Sequence, residues 1–118
     1  MAQGPKNDAE ENKPDLSLLP MDLLEEVAKA YEYGLTKYSR NSWREGFEQH
    51  RMQAAAMRHS ADYWDKGELY DPDAMEKAGM EVMHPAMVIF NMLCIIDSIK
   101  NHPEFDTRYK KITKSEGK

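Results

Sequence analysis

PAMVIFNMLCIIDSIKN, residues 85–101, is the stretch that decides the fold. Between Ala86 and Ile96 it holds no charged residue, and wound as a helix it is apolar on nearly all sides. A helix of that kind belongs in the middle of a bundle. The same run is about half as long as a bilayer span requires, so no membrane partner is expected. Pro103 closes it at its C-terminal side.

Working outward, residues 49–66 predict a second helix, with Met52, Ala55, Ala56, His59 and Tyr63 along one face and Gly67 as its stop. The three alanines 54–56 admit a close helix neighbour, and Trp64 is expected to be half-buried packing. Residues 20–38 predict the first helix. Leu23, Leu24, Val27, Tyr31, Leu35 and Tyr38 recur at three- and four-residue steps, and Pro20 suits a first helical position. Asp73 is the expected cap of a short helix reaching Gly79. Residues 39–48, with Asn41, Ser42 and Gly46, and residues 68–72 read as loops. No segment alternates with period two for long enough to make a strand.

The expected fold is therefore all-α, three long helices plus one short helix. Three long helices leave part of the central one uncovered, so the bundle is expected to be completed by oligomerisation, as a homodimer or homotetramer. Residues 1–14 are polar and aperiodic and read as a disordered arm, 15–102 as the helical domain, and 103–118 as a basic flexible tail.

At 118 residues the chain is a single domain. Lys and Arg number 16 against 21 Asp and Glu, a net charge of −5, so an overall basic field for duplex nucleic acid is absent. The polar, acidic opening MAQGPKNDAEENKPD is not a signal peptide. One cysteine, Cys94, excludes a disulfide framework within the chain and suits a reducing, cytoplasmic compartment.

Two carboxylate pairs are candidates for chemistry, Glu45 with Glu48 and, after nineteen intervening residues, Glu68 with Asp71. Carboxylates three apart on a helix share a face and can hold a hard cation such as Mg²⁺ (or Mn²⁺). Each pair also reads as solvated surface, and Gly46 places the first outside regular helix. His59 lies on an apolar face beside Arg58, as packing or as a group aimed at the Glu68 loop. His84 and Asn91 stand seven residues apart, two helical turns, on one face. An amide there braces the structure or reads a base edge. Lys37 and Asn41 crowd one helix end with Trp43, where cations can meet phosphates and an indole can stack on a base or cover the core.

Taken in order, KPDLSLLP (13–20), YGLTKYSRNSW (33–43) with Gly46, then Arg58-His59, Trp64, Gly67-Glu68 and Asp71, then His84 and Asn91 resemble a phage protein family. It is the dATP/dGTP diphosphohydrolase N-terminal family, some members of which are called MazZ, and it is similar to the all-α MazG-like nucleotide pyrophosphohydrolases. The resemblance spans about Lys13 to Asp97. The chain departs from the pattern by extra residues between Asp71 and His84 and by Met87 in place of a second histidine. The resemblance implies metal-dependent hydrolysis of dGTP or dATP to the monophosphate and pyrophosphate, in the host cytoplasm. It implies Glu68 and Asp71 on the metal, with Glu45 and Glu48 as further candidates, and His59 as ligand or proton shuttle. Lys37 and Arg58 would hold phosphates, and Asn41 and Trp43 would shape a base pocket with His84 and Asn91 behind. The competing reading is a non-catalytic helical module that binds a nucleotide or a host protein.

Overall fold

The computed structural model describes residues 12–110. Four α-helices carry the fold: α1 (Met21–Gly34), α2 (Gln49–Trp64), α3 (Pro72–Ala78) and α4 (His84–Asn101). Among the described residues there is no strand, and none of the helices is long and apolar enough to cross a membrane. The all-α reading is thus the observed one. α4 is the centre, packed against α1 on one side and α2 on the other.

α4 buries His84, Met87, Asn91, Cys94 and Ser98 at alternating three- and four-residue steps, the spacing of one helical seam. Its other apolar side is not covered: Ile89, Met92, Ile96 and Ile99 are exposed. α2 turns the expected face inward, with Ala56 buried and Met52, Ala55, His59 and Tyr63 half-buried. Trp64, expected to be half-buried, is 77% exposed at the last position of that helix.

α1 differs from the sequence expectation in length and in face. It ends at Gly34 rather than Tyr38, where the Thr36 hydroxyl donates to the Tyr33 carbonyl at 2.7 Å and the chain turns off. Its buried stripe is Val27, Ala30 and Tyr33, while Leu23, Leu35 and Tyr38 are exposed. Small Ala30 belongs to the main core with Tyr33, Ala74, Val82, Ala86 and Met87, and a hydrophobicity pattern gives such a residue little weight.

Asp71, not Asp73, caps α3. Its carboxylate accepts from the Ala74 N–H at 3.2 Å, and Pro72 takes the first helical position, where a missing N–H costs nothing. Residues 69–71 then run antiparallel to 82–84, with the Asp71 N–H on the Val82 carbonyl (2.8 Å) and the His84 N–H on the Leu69 carbonyl (2.9 Å). This short pairing ties the loop after α2 to the first turn of α4.

Of the expected arm, residues 1–11 lie outside the described residues, as do 111–118 of the expected tail. The start of that tail is folded back. Residues 103–105 form a 3-10 turn, and Thr107 Oγ1 accepts from the His50 N–H at 3.1 Å.

A candidate metal and nucleotide site

At the N-terminal end of α4, four side chains meet. His59 Nδ1 lies 2.9 Å from His84 Nδ1, and His84 Nε2 lies 3.2 Å from Glu68 Oε1. Asp62, one helical turn beyond His59 on α2, completes a group in which His59, Asp62 and His84 each bring a ligand atom within 4.8 Å of the others. His84 is fully buried and Glu68 is 41% exposed by side chain, so the group opens to solvent on the Glu68 side.

The local backbone explains the meeting. α2 ends where the Glu68 N–H reaches back to the Asp62 carbonyl at 2.9 Å, with Gly67 at φ +74°, a left-handed value that favours glycine. The antiparallel pairing of 69–71 with 82–84 then brings the first residue of α4 under Glu68.

The electrostatics are mixed. Burial has the largest influence on His59 and holds its pKa below the usual imidazole value, while Asp71 and Asp62 pull it up and His84 and Arg58 push it down. A neutral imidazole keeps a lone pair for a metal ion. Asp62 Oδ1 also pairs with Lys66 Nζ at 3.2 Å, a contact between partly exposed groups that yields readily.

The other expected residues are dispersed. Asp71 is buried, and its charge is felt at His59, but one of its oxygens is committed to capping α3. Arg58 is exposed on α2, next to His59. Glu45 and Glu48 are exposed and do not join Glu68. Their loop, residues 42–48, is fastened to the far end of α4, with Arg44 Nη1 on Asp97 Oδ1 (3.1 Å), the Ser98 hydroxyl on the Phe47 carbonyl (3.2 Å) and His102 Nε2 on the Arg44 carbonyl (2.7 Å). Thirteen residues separate His84 from Asp97, about 20 Å of helix. Two pairs that look like one motif in sequence therefore sit at opposite ends of α4.

Trp43 is half-buried, edge-on to Tyr31 with centroids 5.4 Å apart and with the Arg44 guanidinium 4.4 Å over its ring. Together with Tyr31, Tyr38, Asn41 and Phe90 it lines a groove of about 590 Å³ between α1 and the following loop, a size that suits a small ligand. Lys37 is exposed and lies 4.6 Å from the centre of the Tyr33 ring. Asn91 is buried, and its amide donates to the Met87 carbonyl of its own helix at 2.9 Å. The groove faces the α1 side of α4, through Phe90 against Tyr31, whereas His84 faces α2.

Asp62 is the residue that sequence reading missed. Its signal is present, since it stands one turn after His59 on the same helix face, but it is one acid among 21.

A family model described as dATP/dGTP diphosphohydrolase, N-terminal, matches residues 3–108. Among curated proteins and among solved structures nothing matches.

Proposed function

Because the chain belongs to the dATP/dGTP diphosphohydrolase N-terminal family, we propose that it hydrolyses dGTP or dATP to the monophosphate and pyrophosphate with a divalent metal ion. The observation that carries this reading is the convergence of His59, Asp62, His84 and Glu68 at the start of α4. The donors fit a metal. His59, Asp62 and His84 each offer a ligand atom within 4.8 Å of the others, a spread that one ion can draw together. When bound, such an ion neutralises phosphate oxygens and stabilises the departing pyrophosphate. Arg58, exposed beside the cluster, adds a cation for the phosphates. Glu68 stands at the solvent edge, where an ionised carboxylate can take the proton of the attacking water. The Trp43 groove, with Asn41 at its rim, opens on the α1 side of α4, away from this cluster, and is not assigned to the same nucleotide.

A second reading has one observation in its favour. The open stripe of Ile89, Met92, Ile96 and Ile99 on α4 suits a partner helix. It supports either a homo-oligomer of the enzyme or a non-catalytic module that binds another protein. Incubation with each dNTP and a divalent metal, with pyrophosphate as the readout, separates them. Release from dGTP or dATP supports the enzyme; retained nucleotide binding without turnover supports the module.

A further inference from the structure

We infer that the cluster at the start of α4 is built for a borderline transition-metal ion, of the class of Mn²⁺, Co²⁺ or Zn²⁺, in preference to Mg²⁺, with His59, Asp62 and His84 as ligands and Glu68 as the residue that positions His84. The inference rests on the reading of this cluster as the metal centre, and it names the class of ion and the part of each side chain.

The donor set sets the class. Mg²⁺ takes oxygen ligands almost exclusively and gives up water reluctantly, whereas imidazole nitrogen suits the later first-row ions. Here two imidazoles point their Nδ1 atoms at each other across 2.9 Å, with a carboxylate one turn away on α2. Two histidines and one carboxylate, the last open to solvent on one flank, are a transition-metal set.

The hydrogen bond to Glu68 decides which nitrogen of His84 is available. An ionised carboxylate accepts, so at 3.2 Å Glu68 Oε1 places the proton of His84 on Nε2. The His84 Nδ1 lone pair is then left facing His59. A histidine ligand commonly gives its second N–H to a carboxylate in this way, which fixes both tautomer and ring orientation. Without an ion, the His59 Nδ1–H donates into that lone pair. With an ion between them, His59 carries its proton on Nε2 and both Nδ1 lone pairs face the metal. An ion about 2.1 Å from both nitrogens lies to one side of the line between them, so both rings must tilt slightly to aim their lone pairs at it. Asp62 must only release Lys66, whose side chain is largely exposed.

Co²⁺ is the probe, because its visible absorption reports nitrogen ligation directly. Titrated into the full chain, it is expected to bind at a single site with a ligand-field spectrum, and millimolar Mg²⁺ is expected to leave that spectrum in place. His59→Ala and Asp62→Asn are expected to abolish it with helicity unchanged by circular dichroism. His84→Ala removes a fully buried ring, so it is the less clean variant, and the other two carry the test. Glu68→Ala is expected to weaken Co²⁺ about 10- to 100-fold. Glu68→Gln, which still offers an oxygen to His84 Nε2–H, is expected to recover part of that loss. A merely structural Glu68 would leave the spectrum and affinity unmoved in both.

Absence of a Co²⁺ spectrum, its displacement by Mg²⁺, or its survival in folded His59→Ala overturns the inference. Equal Co²⁺ affinity in Glu68→Ala overturns the positioning role. These results are separable from the fate of the proposed reaction. Hydrolysis of dGTP with Mg²⁺ as the sole metal and no Co²⁺ site refutes the metal class and leaves the activity standing. A Co²⁺ site with these ligands and no dNTP turnover does the reverse.

Discussion

The two ends of α4 are both polar, and they are polar in opposite ways. At the C-terminal end, buried Asp97 meets its complement through Oδ1, while Oδ2 has only the His102 ring nearby, at 3.9 Å. Arg44 and the Asn101 amide both donate to its Oδ1, at 3.1 and 2.8 Å, while neighbouring Ser98 and His102 are occupied by backbone carbonyls of the 42–48 loop. At the N-terminal end, like meets like. Two imidazoles face each other nitrogen to nitrogen, with two carboxylates at their edges. Opposite charges and donor–acceptor pairs close a fold on themselves. The two imidazoles are joined by a single N–H···N contact, and a cation can take the place of that proton. The first end reads as a fastening and the second as a site.

The sharpest way to break this contrast is to remove one member from each end and read both activity and stability. His59→Ala is expected to lower pyrophosphate release by at least about 100-fold, the scale of losing a group that acts in the transition state. Its Tm should fall by several degrees at most, because the ring is only half-buried but buried His84 loses its Nδ1 partner. A near-normal rate in a folded variant would make the N-terminal end structural too.

At the other end the effect should be on stability alone. Gly46 has φ +94° and ψ 152°, a region close to glycine-only, and an added Cβ would stand 2.7 Å from Phe105 and 2.8 Å from His102. Gly46→Ala is therefore expected to cost about 3 kcal/mol, a Tm fall of roughly 10–20 °C. Turnover per folded molecule should be retained. Arg44→Ala is a milder form of the same test. It leaves Asp97 buried without its cation, but Arg44 is itself largely exposed, so the expected cost is about 1–2 kcal/mol by urea denaturation. A loss of catalysis in either variant, with the fold intact, would join the two ends functionally.

This contrast also marks how far the sequence could be read. α2 and α4 are legible as apolar helical segments, although α2 ends at Trp64, two residues before the expected Lys66, with Gly67 in the turn beyond it. The true cap of α3 was legible as well: Pro72 at the first helical position makes Asp71 the residue before it, and Asp73 was the wrong choice of two nearby acids. The inward face of α1 was not, because Ala30 contributes to packing by being small. His59 and Glu68 were visible as candidates, but their meeting with His84 depends on the antiparallel pairing of 69–71 with 82–84. Main-chain hydrogen bonds between residues more than ten apart leave no residue-specific trace. For the same reason sequence spacing could not reveal that Glu45 and Glu48 belong to the opposite end of the helix from Glu68.

The smallest expected effect on stability sharpens the comparison most. Gly67 and Gly46 both have positive φ, but a Cβ at Gly67 meets nothing within 4 Å. Gly67→Ala thus carries only the backbone strain, about 1 kcal/mol, against about 3 for Gly46→Ala. Yet Gly67 sets the turn that puts the Glu68 N–H on the Asp62 carbonyl and Glu68 Oε1 against His84. If the turn relaxes to relieve φ +74°, the carboxylate moves off His84 Nε2. Co²⁺ affinity should then fall while Tm drops by only roughly 3–7 °C, the inverse of the pattern at Gly46. Should Gly67→Ala lower Tm as far as Gly46→Ala with Co²⁺ binding intact, the loop after α2 is a fastening like the one at the far end, and the distinction between the two ends of α4 is lost.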